Sequence, residues 1–247
     1  MILFYKNIAE TPLEAIMRFR AENPRFAESK IAYAGRLDPM AEGYLLLLID
    51  NECKIRDKYQ GLNKTYEFEF IFGIETDSLD LLGIPTATSE KELHGFQITK
   101  ADLENIIKGF EGVLSQELPV YSSYTVKGTP LWKWAKEKRL DEIKIPSKEV
   151  QIFSAELLSL SEITFGEIKK RVNLSVGKVK GNFRQSEILS AWNALDIDNN
   201  SELVIAKARF NVSSGTYIRQ IVKDIGKLAK MKTVAYSIVR TGFDLDR

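Results

Sequence analysis

The chain has 247 residues, 44% of them hydrophobic, and carries 35 basic against 34 acidic side chains for a formal net charge of +1. That size and apolar content allow one large core, in one domain or two small ones, and near-neutrality leaves a nucleic-acid partner open until the charge distribution is read. One histidine, His94, and one cysteine, Cys53, are too few for a structural zinc site or a disulfide framework, and the apolar run Tyr44 to Ile49 is far short of the roughly 20 residues of a membrane span.

The chain starts with MILFYKNIAE, an apolar stretch without a basic leader and cleavage site, so a cytosolic protein is expected. Thr11-Pro12 followed by LEAIMRFRAEN reads as an N-cap, a first-turn proline and an amphipathic helix that stops near Asn23-Pro24. The turn-rich AYAGRLDPMAEG then leads into YLLLLID, a buried strand, which puts Asp38 in a loop beside the core. Lys64 to Gly73 alternates strictly, with Tyr66, Phe68, Phe70 and Phe72 on one face of a strand. His94 is read as a loop residue with no nucleophile elbow near it, which disfavours a Ser-His-Asp triad. Ala101 to Phe110 has helical spacing after the N-cap Thr99.

Further on, a short extended piece at Tyr124 to Val126 turns at Lys127-Gly128 and enters a helix near Pro130, with Trp132 and Trp134 as packing residues. Val150 to Leu158 and Arg171 to Val176 alternate as strands do, and Ser186 is read as the cap of the helix EILSAWNAL. Leu203 to Val212 is again strand-like. From Thr216 onward a helix carries Ile218, Ile221, Val222, Ile225 and Leu228 on one face. Strands and helices mix without a regular βαβ beat, which predicts an α+β fold. Between Ile168 and Arg184 lie Lys169, Lys170, Arg171, Lys178, Lys180 and Arg184 without an acid; a solvated face is the simple reading of such a run.

No Walker A loop, GxGxxG fingerprint or HExxH helix is present, so the remaining chemistry-bearing group is a carboxylate. Gly35-Arg36-Leu37-Asp38 combines a residue that permits a sharp turn, a cation that can meet phosphate, and an acid held between Leu37 and Pro39. Alone, such an aspartate is more often an ordinary turn or cap residue than a catalytic one.

Four segments in order change that weighing. AGRLDPMAEGYLLL resembles the nucleophile loop of the TruB family of pseudouridine synthases, in which G-x-L-D-P-x-A-x-G precedes a strand. Lys64, Tyr66, Gly73, Thr76, Asp77, Ser78, Asp80 and Gly83 resemble that family's K-x-Y strand and its adjoining G-x-x-T-D-[ST]-x-D-x-x-G turn. FEGVLSQELPVYSSYTVKGTPLWKWAKEK is similar to its F-x-G-x-x-x-Q-x-P-P-x-[YF]-S-A-x-K segment, and SSGTYIRQIVKDIG to its G-T-Y-I-R segment. The resemblance implies a pseudouridine synthase fold, a mixed or antiparallel sheet flanked by helices, over a single catalytic domain spanning residues 1–247. It implies isomerisation of uridine to pseudouridine in RNA, at uridine 55 in the T arm of tRNA, with Asp38 as catalytic carboxylate. Tyr66 would stack on the extruded base and assist proton removal from C5, and Arg219 would pair with and orient Asp38. Neither metal nor cofactor is needed, and a monomer without protein partners is expected.

Two departures from the family form bear on RNA contacts. Tyr33 stands where the family carries histidine and Arg36 where it carries threonine, so both are expected to meet RNA, Tyr33 by stacking. Arg247 closely follows the RTGFDLD segment, so the C-terminal PUA domain of many members is not expected. Lys64 and Lys127, and Lys169, Lys170, Lys178 and Lys180 of the basic stretch, are then candidate phosphate contacts.

Overall fold

Thr11 caps the first helix as its position before Pro12 requires: its side chain accepts from Glu14 N, and the Glu14 carboxylate accepts from Thr11 N. The structure, a computed structural model, describes residues 1–245. The predicted boundary residue Arg247 lies outside them. In chain order the elements are β1 (Ile2–Lys6), α1 (Pro12–Glu22), β2 (Ile31–Ala34), β3 (Ala41–Ile49), α2 (Arg56–Gln60), β4 (Lys64–Phe72), β5 (Ile74–Thr76), β6 (Pro85–Ala87), α3 (Glu90–Gly95) and α4 (Lys100–Lys108). They continue with β7 (Gly112–Glu117), β8 (Thr125–Val126), β9 (Thr129–Pro130), α5 (Leu131–Lys136), β10 (Ser147–Thr164), α6 (Phe165–Val176), α7 (Gln185–Asn193), β11 (Glu202–Val212), α8 (Ile218–Ala229) and β12 (Thr233–Phe243).

An eight-stranded sheet runs β1-β3-β12-β4-β11-β10-β7, with β2 also paired to β3. The β3–β12 pair is parallel and its other pairings are antiparallel, so the sheet is mixed and the fold α+β. The alternation of β4 holds: Phe68, Phe70 and Phe72 are buried in the main core with Leu103 and Ile107 of α4 and Ile221, Val222 and Ile225 of α8. On the opposite side Ile71, Ile205 and Val234 pack with Phe165, Ile168 and Val172 of α6 and Trp192 of α7. Helices therefore cover both faces, and α8 brings its N-terminus to the end of the sheet where the β2–β3 loop lies. No described helix is long and apolar enough to cross a membrane.

Several local expectations are corrected. Arg171–Val176 is the second half of helix α6, not a strand. Thr164 and Glu167 form a capping box that starts that helix, and Phe165, Ile168, Val172 and Val176 bury a helical stripe, whereas Leu174, needed by the alternating pattern, is exposed. Ser186 does not cap α7; Arg184 holds that position in a left-handed conformation, and the helix starts at Gln185. His94 belongs to helix α3 and not to a loop, because Ser89 forms a capping box with Glu92. The segment before Asp38 contains strand β2 and β3 starts at Ala41, since pairing with β3 overrides the turn-rich composition. Trp134 is buried as expected, but Trp132 and Leu228 are exposed.

Candidate active site

The Gly35–Met40 loop is fixed at both ends. Gly35 turns with φ +75°, and a Cβ there would meet Lys64 Cε at 3.1 Å and Arg240 Nη1 at 3.3 Å, so the turn and the packing both call for glycine. Leu37 enters the main core and Met40 the second one. Ala9 N donates to Pro39 O at 2.8 Å, Ala41 N to Asp38 O at 3.1 Å, and the buried Lys6 Nζ to Ala41 O at 2.6 Å. Asp38 is thereby presented from a rigid turn to a cavity of about 240 Å³ lined by Arg36, Lys64, Tyr66, Tyr217, Arg219 and Arg240, among others.

Arg219 lies in the first turn of α8, where a cation faces the positive end of the helix dipole, and it is 3% exposed. Both penalties are met by acceptors. Arg219 donates to Asp38 Oδ2 from Nε at 3.0 Å, with Nη2 in ion-pair contact with the same oxygen at 2.7 Å, to Tyr121 O from Nη2 at 3.2 Å, and to Ser78 O. Asp80 Oδ2 stands 3.6 Å from Nε. Burial opposes the charge on Arg219, but Asp38 and Asp80 outweigh it and raise its pKa above the ordinary arginine value. For Asp80 burial dominates and pushes its carboxyl above the usual range, while Arg219 and the Ser78 hydroxyl pull it back. The Asp80 Oδ1 atom accepts from Ser78 Oγ at 2.7 Å and from Leu82 N at 3.0 Å. Because both Arg219 contacts go to Oδ2 of Asp38, its Oδ1 has no partner among the described residues.

Tyr66 is buried in the cavity wall, and Arg240 Nη1 approaches its hydroxyl at 3.4 Å. Arg240 is itself fully buried on β12; its Nε donates to Tyr44 O at 2.8 Å and its Nη2 to Gly35 O at 3.0 Å. Lys64 Nζ donates to Gln60 O at 2.9 Å and Leu62 O at 2.6 Å, and burial, then the charges of Arg240 and Lys148, lower its pKa to about 8. Burial likewise lowers Lys6 to about 8. Gln116, fully buried on β7, pairs with the backbone of Tyr217 in both directions, at 2.8 and 3.2 Å, and so fixes the entry to α8. Burial, reinforced by the charge of Asp38, raises the Tyr217 phenol.

Of the residues singled out from sequence, Arg36, Asp38, Lys64, Tyr66 and Arg219 converge on this cavity. The half-buried Tyr33 lies on β2 and packs against the main core. Lys127 is exposed at the β8–β9 turn and donates to Glu142 O at 3.2 Å. Lys169 and Lys170 are on α6, with Lys169 over the Phe165 ring, and Lys178 and Lys180 follow that helix. Lys180 stands 3.5 Å from Glu14. None of these last five lysines lines the cavity. Arg184, from the same stretch, grips Asp77 at 2.8 Å and covers the Tyr121 ring. Asp80, Gln116, Tyr217 and Arg240 were given no role from sequence; the first three lie in the family-like segments, whereas Arg240 carries no signal beyond its place in a strand.

A mixed sheet with a carboxylate loop at one end and an arginine-bearing helix closing over it is the pseudouridine synthase fold. The chain superposes on a chain of a Cbf5-Nop10-Gar1 complex with a TM-score of 0.55 at 14% identity, over 98% of this chain and 48% of that one. Residues 24–183 match the model of the TruB family pseudouridylate synthase (N terminal domain), and the chain belongs to that family. It is 29% identical over 222 residues to tRNA pseudouridine synthase B of Bordetella avium, covering 89% of this chain and 72% of that protein. With the Aquifex aeolicus protein of the same name it shares 32% over 162 residues, 62% of this chain and 54% of the relative. The chain thus spans about half to three-quarters of these relatives.

Proposed function

We propose that the chain converts uridine to pseudouridine in tRNA, at uridine 55 of the T arm, with Asp38 as the catalytic carboxylate. The observation that carries the reading is the half-committed carboxylate: Arg219 holds Oδ2 in a charge-assisted pair, and Oδ1 is free in a residue lining the cavity. The reaction breaks the bond from N1 of uracil to C1′ of ribose, forms one from C5 to C1′, and removes the C5 proton while N1 gains one. Atoms and electrons balance within the substrate and solvent, so the chemistry asks for an oriented nucleophile and a proton acceptor. Asp38 supplies the nucleophile toward either the ring or the ribose, and Tyr66 supplies the stacking face and a phenol near C5.

The names of the relatives support tRNA as substrate class. Tyr33, Arg36, Lys64, Lys127 and the lysines at 169, 170, 178 and 180 are the proposed RNA contacts, with Arg36 and Lys64 at the cavity and the others farther out. Incubating the chain with unmodified tRNA and mapping pseudouridine by mass spectrometry tests the reading. Pseudouridine at position 55 is the expected product, and none anywhere in the tRNA, with folded protein, would overturn it.

A further inference from the structure

The charge lining the cavity does not match a uracil nucleoside, which is neutral. Arg36, Lys64, Arg219 and Arg240 face it against one carboxylate, Asp38, and Asp38 is already paired with Arg219. Arg36, Lys64 and Arg240 form no ion pair among the described residues; Lys64 and Arg240 are buried, bound to backbone carbonyls and placed over the Phe243 ring, with a long contact from Arg240 to the Tyr66 hydroxyl, and none of these partners carries a negative charge. Buried cations without counter-charge are costly, and an anionic group arriving with the substrate offsets that cost.

The wall formed by Ser214 and Gly215 shows where such an anion fits. Lys148, exposed on β10, donates from Nζ to Ser214 O at 3.0 Å, and its ammonium fills the space of a residue-215 Cβ, which would stand 2.1 Å from Nζ. Gly215 turns there with φ +87°. Ser214 Oγ donates to Gln60 O at 2.6 Å, the same carbonyl that accepts from Lys64 Nζ, so this wall and Lys64 meet on one atom. Among the described residues the backbone N–H groups of Ser214 and Gly215 have no acceptor, and Lys148 has no carboxylate partner. Backbone N–H groups without a protein acceptor beside a left-handed glycine, with an ammonium bound at the adjoining Ser214 carbonyl, are the elements of an anion-binding concavity. We propose that Lys148, Ser214 and Gly215 form, with Lys64 behind them, a subsite for a backbone phosphodiester flanking the target uridine.

This deepens the functional reading and rests on it, since a phosphodiester there presupposes an RNA strand passing the cavity. The subsite holds the strand while the neutral base enters toward Asp38 and Tyr66, and it supplies local charge in a chain whose net charge is only +1.

The test measures binding of a fluorescent T-arm hairpin RNA to the full chain between 50 and 300 mM salt, for wild type, Lys148→Gln and Lys148→Arg. Lys148→Gln keeps a donor for Ser214 O and loses the charge. It is expected to weaken binding about five- to tenfold and to reduce the slope of log affinity against log salt by about 0.7–0.9, the loss of one phosphate contact, while Lys148→Arg keeps both near wild type. Hairpins with a neutral methylphosphonate at one or the other phosphate beside the target uridine locate the contact: one of them should weaken wild type by a similar factor and Lys148→Gln hardly at all, as coupled partners do. An unchanged salt slope, equal methylphosphonate penalties in both proteins, or a Lys148→Arg variant as weak as Lys148→Gln would overturn the subsite. If Lys148→Gln fails to melt as a folded protein, Lys148→Arg with the two methylphosphonate RNAs decides: it must show the wild-type penalty. Pseudouridine formation by wild type is scored in parallel, so failure of the functional reading is seen apart from failure of the subsite.

Discussion

Replacing Arg219 by methionine removes a guanidinium that pairs with Asp38 Oδ2 through Nε and Nη2, donates to Ser78 O and Tyr121 O, and stands 3.6 Å from Asp80 Oδ2. One wholly buried carboxylate and one partly buried carboxylate are left without a cation, and breaking a buried pair in this way costs about 3–5 kcal/mol. The individual bonds, each about 1.5–3 kcal/mol when one partner is charged, do not add to this, because Asp80 keeps the Ser78 hydroxyl and Leu82 N–H and can take up a proton. At about 2–4 °C per kcal/mol for a chain of this length, the melting temperature falls by roughly 6–20 °C. The loss depends on pH with a definite sign. The Asp80 carboxyl is already raised by burial, and without Arg219 it rises further, so the folded state holds a proton that the unfolded chain releases. Stability from that proton is complete below the unfolded value of about 3.9 and is lost as pH climbs through the folded one, so the variant suffers more at pH 8 than at pH 5. Asp38 also loses its orientation, and a misplacement of about 1 Å costs about a hundredfold in rate. Tritium release from C5 of labelled uridine in tRNA, with circular dichroism melts at both pH values, measures the two effects. Activity within about fivefold of wild type, or a melting temperature within about 2 °C of it, would refute the reasoning.

Asp38→Asn should abolish pseudouridine formation and leave tRNA affinity close to wild type, while the melting temperature falls by a few degrees because the buried Arg219 loses one of its two carboxylates and keeps Asp80; turnover within about tenfold would reassign the nucleophile. Activity is expected to persist in EDTA, and its selective recovery by one divalent metal after chelation, with the tRNA still folded, would count against a metal-free reaction. Gly35→Ala should slow turnover strongly, because φ +75° disfavours alanine and its Cβ presses on Lys64 and Arg240; kinetics like wild type would show that the loop accommodates it. Affinity for tRNA should fall between pH 7 and 9, as Lys64, lowered to about 8 by burial, loses its charge at the cavity; Lys64→Met should show a shallower decline, and an identical decline would place the titration elsewhere.

Sequence could show of this site only the features that local patterns encode. The strand at Lys64, the cap at Thr11 and the loop position of Asp38 follow from alternation, capping chemistry and turn residues, each read within a few neighbours. The strand expected at Arg171–Val176 fails for the same reason: Val172, Leu174 and Val176 alternate, but Thr164 and Glu167 upstream start a helix that leaves Leu174 exposed. Ordered family segments then carried Asp38, Tyr66 and Arg219 together, which no periodicity joins, across 181 residues in the case of Asp38 and Arg219.

The residues that escaped are those whose meaning lies in who faces them across the fold. Asp80 reads as one more acid in an acid-rich turn until its carboxylate is seen 3.6 Å from a guanidinium already shared with Asp38. Arg240 carries no sequence signal of its burial, yet it is fully buried because β12 runs parallel beside β3 and its side chain finds Tyr44 O and Gly35 O. Desolvating such groups is unfavourable, and part of what offsets it comes from distant segments: Arg219 for Asp80, and Tyr44 O and Gly35 O for Arg240. The same balance divides the basic stretch: Arg184 closes on Asp77 and Tyr121, and Lys180 stands near Glu14, so a run of cations in sequence is partly taken up by the protein itself. Arg36, Lys64 and Arg240, scattered in sequence, instead gather at one cavity whose single carboxylate, Asp38, is paired with Arg219, and form no ion pair among the described residues. Net charge near zero and a strongly cationic site are therefore compatible, because pairing elsewhere in the fold decides which charges stay available to RNA.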